Sequence, residues 1–142
     1  MKISIAGAAV AGLVGAAVAL VVAASGLARF GDPPASVQWL ADATIYIDSN
    51  GQGGCVITTI PQTLPASKHG KVEWSIVDHC GVTAGNDVEV KFKSKDPLDP
   101  SCNKKGRKGI KCKVDSNSAY GSYPYTVIAG AYSEDPDLEI AQ

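Results

Sequence analysis

VEWSIVDHCG, Val72 to Gly81, alternates apolar and polar side chains in its first half and ends just past a cysteine. On an extended chain Val72, Trp74 and Ile76 point to one side and Glu73 and Ser75 to the other, the period-two signature of a strand with one buried face. The same alternation recurs downstream. Val88, Val90 and Phe92 alternate with Glu89, Lys91 and Lys93; Ile110, Cys112 and Val114 alternate with Lys111 and Lys113; Leu138 and Ile140 flank Glu139. Ala43 to Ile47, Cys55 to Ile60 and Tyr123 to Ala129 add runs rich in β-branched and aromatic residues, the types that fit a half-buried pleated surface.

Between these runs lie DSNGQGG (Asp48–Gly54), KHGK (Lys68–Lys71), TAGND (Thr83–Asp87) and SNSAYGS (Ser116–Ser122). Gly supplies positive φ and Asn or Asp bonds its own backbone, so each is a turn with a mechanism. About seven short strands and no convincing helix predict an all-β domain, an antiparallel Greek-key β-sandwich over residues 37–142. Val37 to Ala41 is read as a short helical turn before the first strand.

The N-terminal part has a different character. After Met1-Lys2, the 26 residues from Ile3 to Ala28 carry no charge, and Arg29 ends the run. Its length suits a single membrane-spanning helix, which needs about 20 apolar residues. Its composition, largely Ala and Gly with small-residue endings at Val22-Ala23-Ala24 and Gly26-Leu27-Ala28, suits a cleaved signal peptide. Residues 1–29 are therefore expected to be a hydrophobic helix serving as signal peptide or anchor, which contacts the membrane through residues 3–28 if it is uncleaved. Gly31-Asp32-Pro33-Pro34 opens a linker at 30–36. With the early positive charge on the short N-terminal side, the remainder is expected outside the cytoplasm, either periplasmic or at the cell surface.

That compartment decides the cysteines. Cys55, Cys80, Cys102 and Cys112 in a small exported domain read as two disulfides. Cys55 with Cys80 and Cys102 with Cys112 is the favoured pairing, because the second closes a local loop. Cys55 with Cys112 around Trp74 is the immunoglobulin-like alternative and stays open. The tyrosine two positions before the second cysteine, which usually goes with that arrangement, is missing before Cys112. A zinc site is disfavoured, since Cys102 and Cys112 lack the short spacer of a zinc knuckle and the adjacent His79 and Cys80 point to opposite faces of a strand.

The order VEWSIVDHCG, GNDVEVKF (Gly85–Phe92), a Pro-rich loop, YPYTVIAG (Tyr123–Gly130) and DPDLEI (Asp135–Ile140) resembles the cupredoxin-like β-sandwich found in bacterial exported proteins of unknown function. The resemblance covers about Val37 to Ile140. It implies the fold without the copper chemistry. Copper-binding members carry Cys, His and usually Met in the hairpin after the YxY-type strand, where this chain has Val127, Ile128, Ala129 and Gly130. The one methionine is Met1, and no histidine follows His79. A blue-copper centre needs two His and a Cys thiolate. No cofactor or metal is expected; a metal-binding or electron-transfer domain using His69, His79 and a cysteine is the alternative.

The charge is uneven. The formal net charge is −1, yet nine of the thirteen bases fall between Lys91 and Lys113, where only Asp96 and Asp99 oppose them, leaving that window at plus seven. SCNKKGRKGIKC (Ser101–Cys112) places five bases between two cysteines and reads as a disulfide-closed basic hairpin. Lys104, Lys105, Arg107, Lys108, Lys111 and Lys113 are the candidate contacts for an anion or a partner: a lipid headgroup, an acidic polysaccharide or an acidic protein surface. If the strands carrying Lys91 and Lys93 and those carrying Lys111 and Lys113 are neighbours, like charges face each other. A solvated edge kept soluble by lysines explains the same run without any ligand. Nucleic acid is disfavoured, because no aromatics interleave with the bases.

The acidic stretch Glu134-Asp135-Pro136-Asp137 with Glu139 is the internal counterweight and lacks the ligand spacing of an EF-hand. Ser75, Asp78 and His79 have no nucleophile elbow and sit too close along one strand to converge as a triad. No catalytic residue is assigned. The expectation is a non-enzymatic binding or structural module with protein partners, in one form a single-span accessory subunit of a membrane complex. A secreted inhibitor or effector that acts through the basic hairpin is a further alternative.

Overall fold

The computed structural model describes residues 40–142. The hydrophobic segment 1–29 and the linker 30–36 lie outside the described residues. Among the described residues, no helix is long and apolar enough to cross a membrane.

Ten strands follow one another: β1 (Leu40–Ser49), β2 (Cys55–Ile60), β3 (Thr63–Ser67), β4 (Lys71–Asp78), β5 (Val88–Phe92), β6 (Lys105–Gly106), β7 (Gly109–Lys113), β8 (Gly121–Ala129), β9 (Tyr132–Glu134) and β10 (Asp137–Ala141). One sheet has the order β2-β1-β4-β7 and the other β3-β10-β8-β5-β6, with β9 also paired to β8. Every run with strand periodicity in the sequence is a strand, so the domain is all-β.

Three expectations change. The sheets are mixed and not purely antiparallel, because β1 runs parallel to β4 and β3 parallel to β10. After β2 the chain crosses to the other sheet as β3 and returns as β4 in the direction of β1. A crossover of this kind is what parallel neighbours require. Leu40 and Ala41 do not form a helical turn; they pair with Lys71 and Val72 at the start of the β1–β4 ladder. The described residues form ten strands, more than the expected seven or so. β3 carries Pro65, which lacks an N–H and is tolerated because β3 lies at a sheet edge. β6 and β9 are only two and three residues long. β9 and β10 share one register on β8, with Glu134 opposite Val127 and Asp137 opposite Pro124. They are one strand interrupted at Pro136, where the ladder loses a donor.

Alternation places the core as expected. Val72, Trp74, Ile45 and Ile47 from the first sheet meet Tyr125, Val127, Leu64, Leu138 and Ile140 from the second, all fully or almost fully buried. Each buried aliphatic side chain stabilises by about 1.5–3 kcal/mol relative to exposure. At the centre the Trp74 and Tyr125 rings stand edge to face, with centroids 5.7 Å apart, and Phe92 packs 5.5 Å from Tyr125. The Trp74 indole N–H donates to the Tyr125 hydroxyl at 3.1 Å, so the two sheets share one buried hydrogen bond. Tyr123 donates to the Ala119 carbonyl at 2.8 Å, a contact of tyrosine-corner type four residues back along the chain.

The body is closed along both sides. On one side the fully buried Thr59 of β2 donates to Glu134 of β9 at 2.6 Å, and Gln62 donates to the other oxygen of that carboxylate. On the other side β6 of the second sheet leads directly into β7 of the first. The turn between them is tight, since a Cβ added at Gly106 would lie 2.4 Å from the Gly109 carbonyl oxygen.

Candidate functional site

Both favoured disulfides are present, Cys55–Cys80 with a Cα separation of 6.1 Å and Cys102–Cys112 with 5.4 Å. β2 and β4 flank β1, so Cys55–Cys80 links the two neighbours of β1 across its C-terminal end. Asp78 organises the turn that carries Cys80. Its carboxylate accepts the N–H groups of Cys80, Gly81 and Thr83 at 2.9, 2.8 and 2.7 Å and the Thr83 hydroxyl at 2.8 Å. Burial alone would raise its pKa, but these four bonds together hold it below the ordinary 3.8.

The basic segment is not a hairpin in which two strands pair with each other. β6 pairs with β5 in the second sheet and β7 with β4 in the first. The Cys102–Cys112 loop is thus an arch over the side of the body, and the sequence concealed this because a short disulfide loop reads equally well as either. For the same reason β5 and β7 lie in different sheets, and Lys91 and Lys93 do not face Lys111 and Lys113.

Four of the six candidate contacts are engaged in ion pairs. Lys104 binds Asp96, Lys105 lies 3.5 Å from Glu89, Arg107 is 2.7 Å from Asp87, and Lys111 is 3.0 Å from Glu73. Lys93 likewise pairs with Asp135 of the acidic C-terminal stretch at 2.9 Å. Among the described residues, no carboxylate stands within ion-pairing distance of Lys108 or Lys113.

Lys113 opens the way to a residue that the sequence did not single out. In the β4–β7 ladder it stands directly opposite Lys71. Val114 donates to the Gly70 carbonyl and Ile76 to the Lys108 carbonyl, so the hydrogen-bonded pairs fall on even-numbered residues and Lys71–Lys113 is a non-hydrogen-bonded pair. In such pairs the side chains come closest, with Cα atoms about 4.5 Å apart. Two like charges so placed cost up to about 1 kcal/mol, less when salt screens them. Lys71 also lacks a carboxylate partner among the described residues.

This pair lines a cleft of about 580 Å³ between the outward face of β4 and β7 and the segment Asp99–Asn103. The segment is pinned beside β7 by the Cys102–Cys112 bridge and by the Asp99 N–H, which donates to the Lys113 carbonyl at 2.9 Å. Asp99 accepts the Ser101 hydroxyl and N–H at 2.6 and 2.8 Å. Those bonds hold its carboxyl below the ordinary range against the opposing effect of burial, and the charge of Lys113 adds to the lowering. Asn103 lines the cleft with its carboxamide oxygen taken by the Lys105 N–H at 3.2 Å, which leaves its NH2 as a donor. Sequence reasoning missed Lys71, Glu73, Asp99, Ser101 and Asn103 as a group. Only the β4–β7 register and the disulfide bring them together.

The histidines do not meet. His69, at φ 62° in the turn before β4, and His79, just after β4, are separated by the eight residues of that strand, about 26 Å at roughly 3.3 Å per residue. His79 Nδ1 is 2.7 Å from Asp48, and no described cysteine is free. Among the described residues, no three His, Cys, Asp or Glu side chains converge as a metal site. Val127 and Ala129 are fully buried core residues.

No protein-family model and no curated protein matches the chain. Among solved structures it is similar to the inclusion body protein PixA of Burkholderia cenocepacia, with 8% identity over 78% of this chain and 100% of that one and a TM-score of 0.46.

Proposed function

We propose that this protein is an extracytoplasmic, non-enzymatic binding module. Its rigid two-sheet body presents the cleft beside β7 and the adjoining arch to a partner. In this reading the body is a Greek-key, cupredoxin-like sandwich that keeps the scaffold and has no copper centre. The alternation of the chain between sheets at β2–β3, β3–β4, β4–β5, β6–β7 and β7–β8 supports it. Two disulfides support a site of action in an oxidising compartment. The N-terminal hydrophobic segment then makes the protein either secreted or a single-span accessory subunit beside a larger membrane complex.

One observation carries the reading. Among the described residues, Lys71 and Lys113 are held side by side in a concave, cross-linked setting with neither in an ion pair, whereas the arch bases Lys104, Lys105 and Arg107 are neutralised internally. Lysines needed only for solubility have no reason to be paired in a cleft.

The test is recovery of partners from mild-detergent membrane extracts by the intact protein and by a Lys71→Ser/Lys108→Ser/Lys113→Ser variant. The reading expects a partner whose recovery falls with rising salt and is lost in the variant. Equal recovery by both proteins, at every salt concentration, would refute it.

A further inference from the structure

We infer that the cleft between β4, β7 and the Asp99–Asn103 segment is a subsite for a singly charged, carboxylate-bearing sugar, of the kind that makes up uronic-acid polysaccharides. The inference rests on the cleft being a binding surface and adds the class of its ligand.

Charge selects the ligand first. Lys71, Lys111 and Lys113 line the cleft together with Glu73 and Asp99, three bases against two acids, so it carries a net charge of plus one. Lys111 is already committed to Glu73 at 3.0 Å. The remaining bases are the cross-strand pair Lys71 and Lys113, faced by the one remaining acid, Asp99, whose carboxyl feels the Lys113 charge, and two neighbouring ammonium groups are donors that one carboxylate can share. A phosphate dianion would overcompensate that charge and bring its second charge toward the Glu73 and Asp99 carboxylates. A monoanion brings the net charge of the cleft to zero and leaves the Glu73 and Asp99 carboxylates as hydrogen-bond acceptors.

Hydrogen-bonding capacity selects next. Apart from the lysines, the lining offers the Asn103 NH2 as a donor and the carboxylate oxygens of Asp99 and Glu73 as acceptors. A sugar ring presents several hydroxyls, each a donor and an acceptor, and so uses both kinds. A fatty carboxylate has no hydroxyls with which to do so. A volume of about 580 Å³ falls in the usual range for small-molecule sites, about 300–1,000 Å³, and admits one or two sugar rings. The cleft is open to solvent and not an enclosed cavity, which suits a residue within a polymer more than an isolated small molecule.

The experiment is amide chemical-shift mapping of the intact protein in detergent, titrated with a glucuronate disaccharide, a neutral glucose disaccharide and inorganic phosphate in separate series. Saturable shifts with the glucuronate disaccharide, centred on Lys71, Ser101–Asn103 and Lys111–Lys113 and weakened by salt, are expected. The Lys71→Ser/Lys113→Ser variant should bind roughly tenfold or more weakly. Asn103→Leu, which keeps both lysines, should weaken the sugar without creating phosphate binding. Lys95→Ser, which removes a base outside the cleft, should bind as the unaltered protein does. The inference is overturned if no saturable shift occurs, if the shifts map elsewhere, or if the neutral disaccharide or phosphate binds as tightly as the glucuronate disaccharide. If sugar binding fails while partner recovery still depends on Lys71 and Lys113, only this inference falls and the binding-module reading stands.

Discussion

Replacing Tyr125 with Phe removes one oxygen atom from the contact between the two sheets and leaves the ring packing in place. Tyr125 and Trp74 are both 0% exposed, and the hydroxyl is the acceptor for the Trp74 indole N–H at 3.1 Å. In Tyr125→Phe that N–H stays buried without a partner, at a cost of about 1–3 kcal/mol. The same hydroxyl leaves a second signature, in the pH dependence. Burial pushes the phenol from 10.0 up to about 12; the indole hydrogen bond pulls against it, and the charges of Glu134 and Asp137 add to the rise. Because the folded state holds the proton more tightly than the unfolded chain, this contribution is intact below pH 10 and is lost as pH rises from 10 toward 12. At about 1.36 kcal/mol per unit, roughly 1.4 kcal/mol is gone by about pH 11. Phe has no such proton, so the variant should start less stable by about 1–3 kcal/mol near neutrality and close about 1.4 kcal/mol of the gap by about pH 11. Lysine titration affects both proteins and cancels in the comparison. Urea unfolding followed by tryptophan fluorescence, with the disulfides intact, measures both quantities. Stability within about 0.5 kcal/mol at neutrality, or pH curves that stay parallel, would refute the central role given to this bond.

Gly106→Ala should destabilise by about 1–3 kcal/mol, because its Cβ would meet the Gly109 carbonyl at 2.4 Å, whereas Gly85→Ala, with nothing within 4 Å, should be nearly neutral; equal melting temperatures for the two would contradict the tight arch. Replacing each cysteine pair with Ser should cost about 3.5 kcal/mol for Cys55–Cys80 and about 2.7 for Cys102–Cys112 from the chain-entropy relation and the sequence separations of 25 and 10. Denaturant midpoints in the reverse order would show that loop length is not what sets their contributions. Asp78→Ala should cost about 1–3 kcal/mol at neutrality. Since the folded Asp78 carboxyl lies below its ordinary 3.8, its contribution is present above that pH and is lost as pH falls through the lower folded value. The stability difference from the unaltered protein must therefore shrink in acid, and a constant difference down to acid unfolding would remove the carboxylate from the account.

The features that could be read from the sequence are those fixed by neighbours along the chain. Side chains alternate strictly between faces of a strand, so the buried set Val72, Trp74, Val88, Val90, Ile110 and Cys112 was visible before any pairing was known. Cys102 and Cys112 were close enough in sequence to suggest their bridge. What stayed hidden depends on distant segments. No local signal says that β4 re-enters beside β1 in parallel or that the Pro-containing segment Thr63–Ser67 is an edge strand beside β10. The cleft was hidden for the same reason. Lys71 is the first residue of β4 and Lys113 the last of β7, and only their register makes them a pair.

The basic run is explained in two parts once the sheet edges are considered one at a time. A two-sheet body has exposed edges that invite pairing with other chains, and Pro, lysines and very short strands are common defences. Here β3 carries Pro65, β6 is two residues long, β2 is tied to β9 through Thr59 and Glu134, and β7 carries Lys111 and Lys113. Edge defence therefore accounts for lysines on β7. The ion pairs of Lys104, Lys105 and Arg107 account for the arch, since they fasten it to the acids of the second sheet and of the loop beside it. Neither explanation needs Lys71, which lies on the interior strand β4, or a concavity beside it. An interior-strand lysine opposite another lysine adds repulsion and protects no edge. Its placement makes physical sense when something anionic stands between the two ammonium groups.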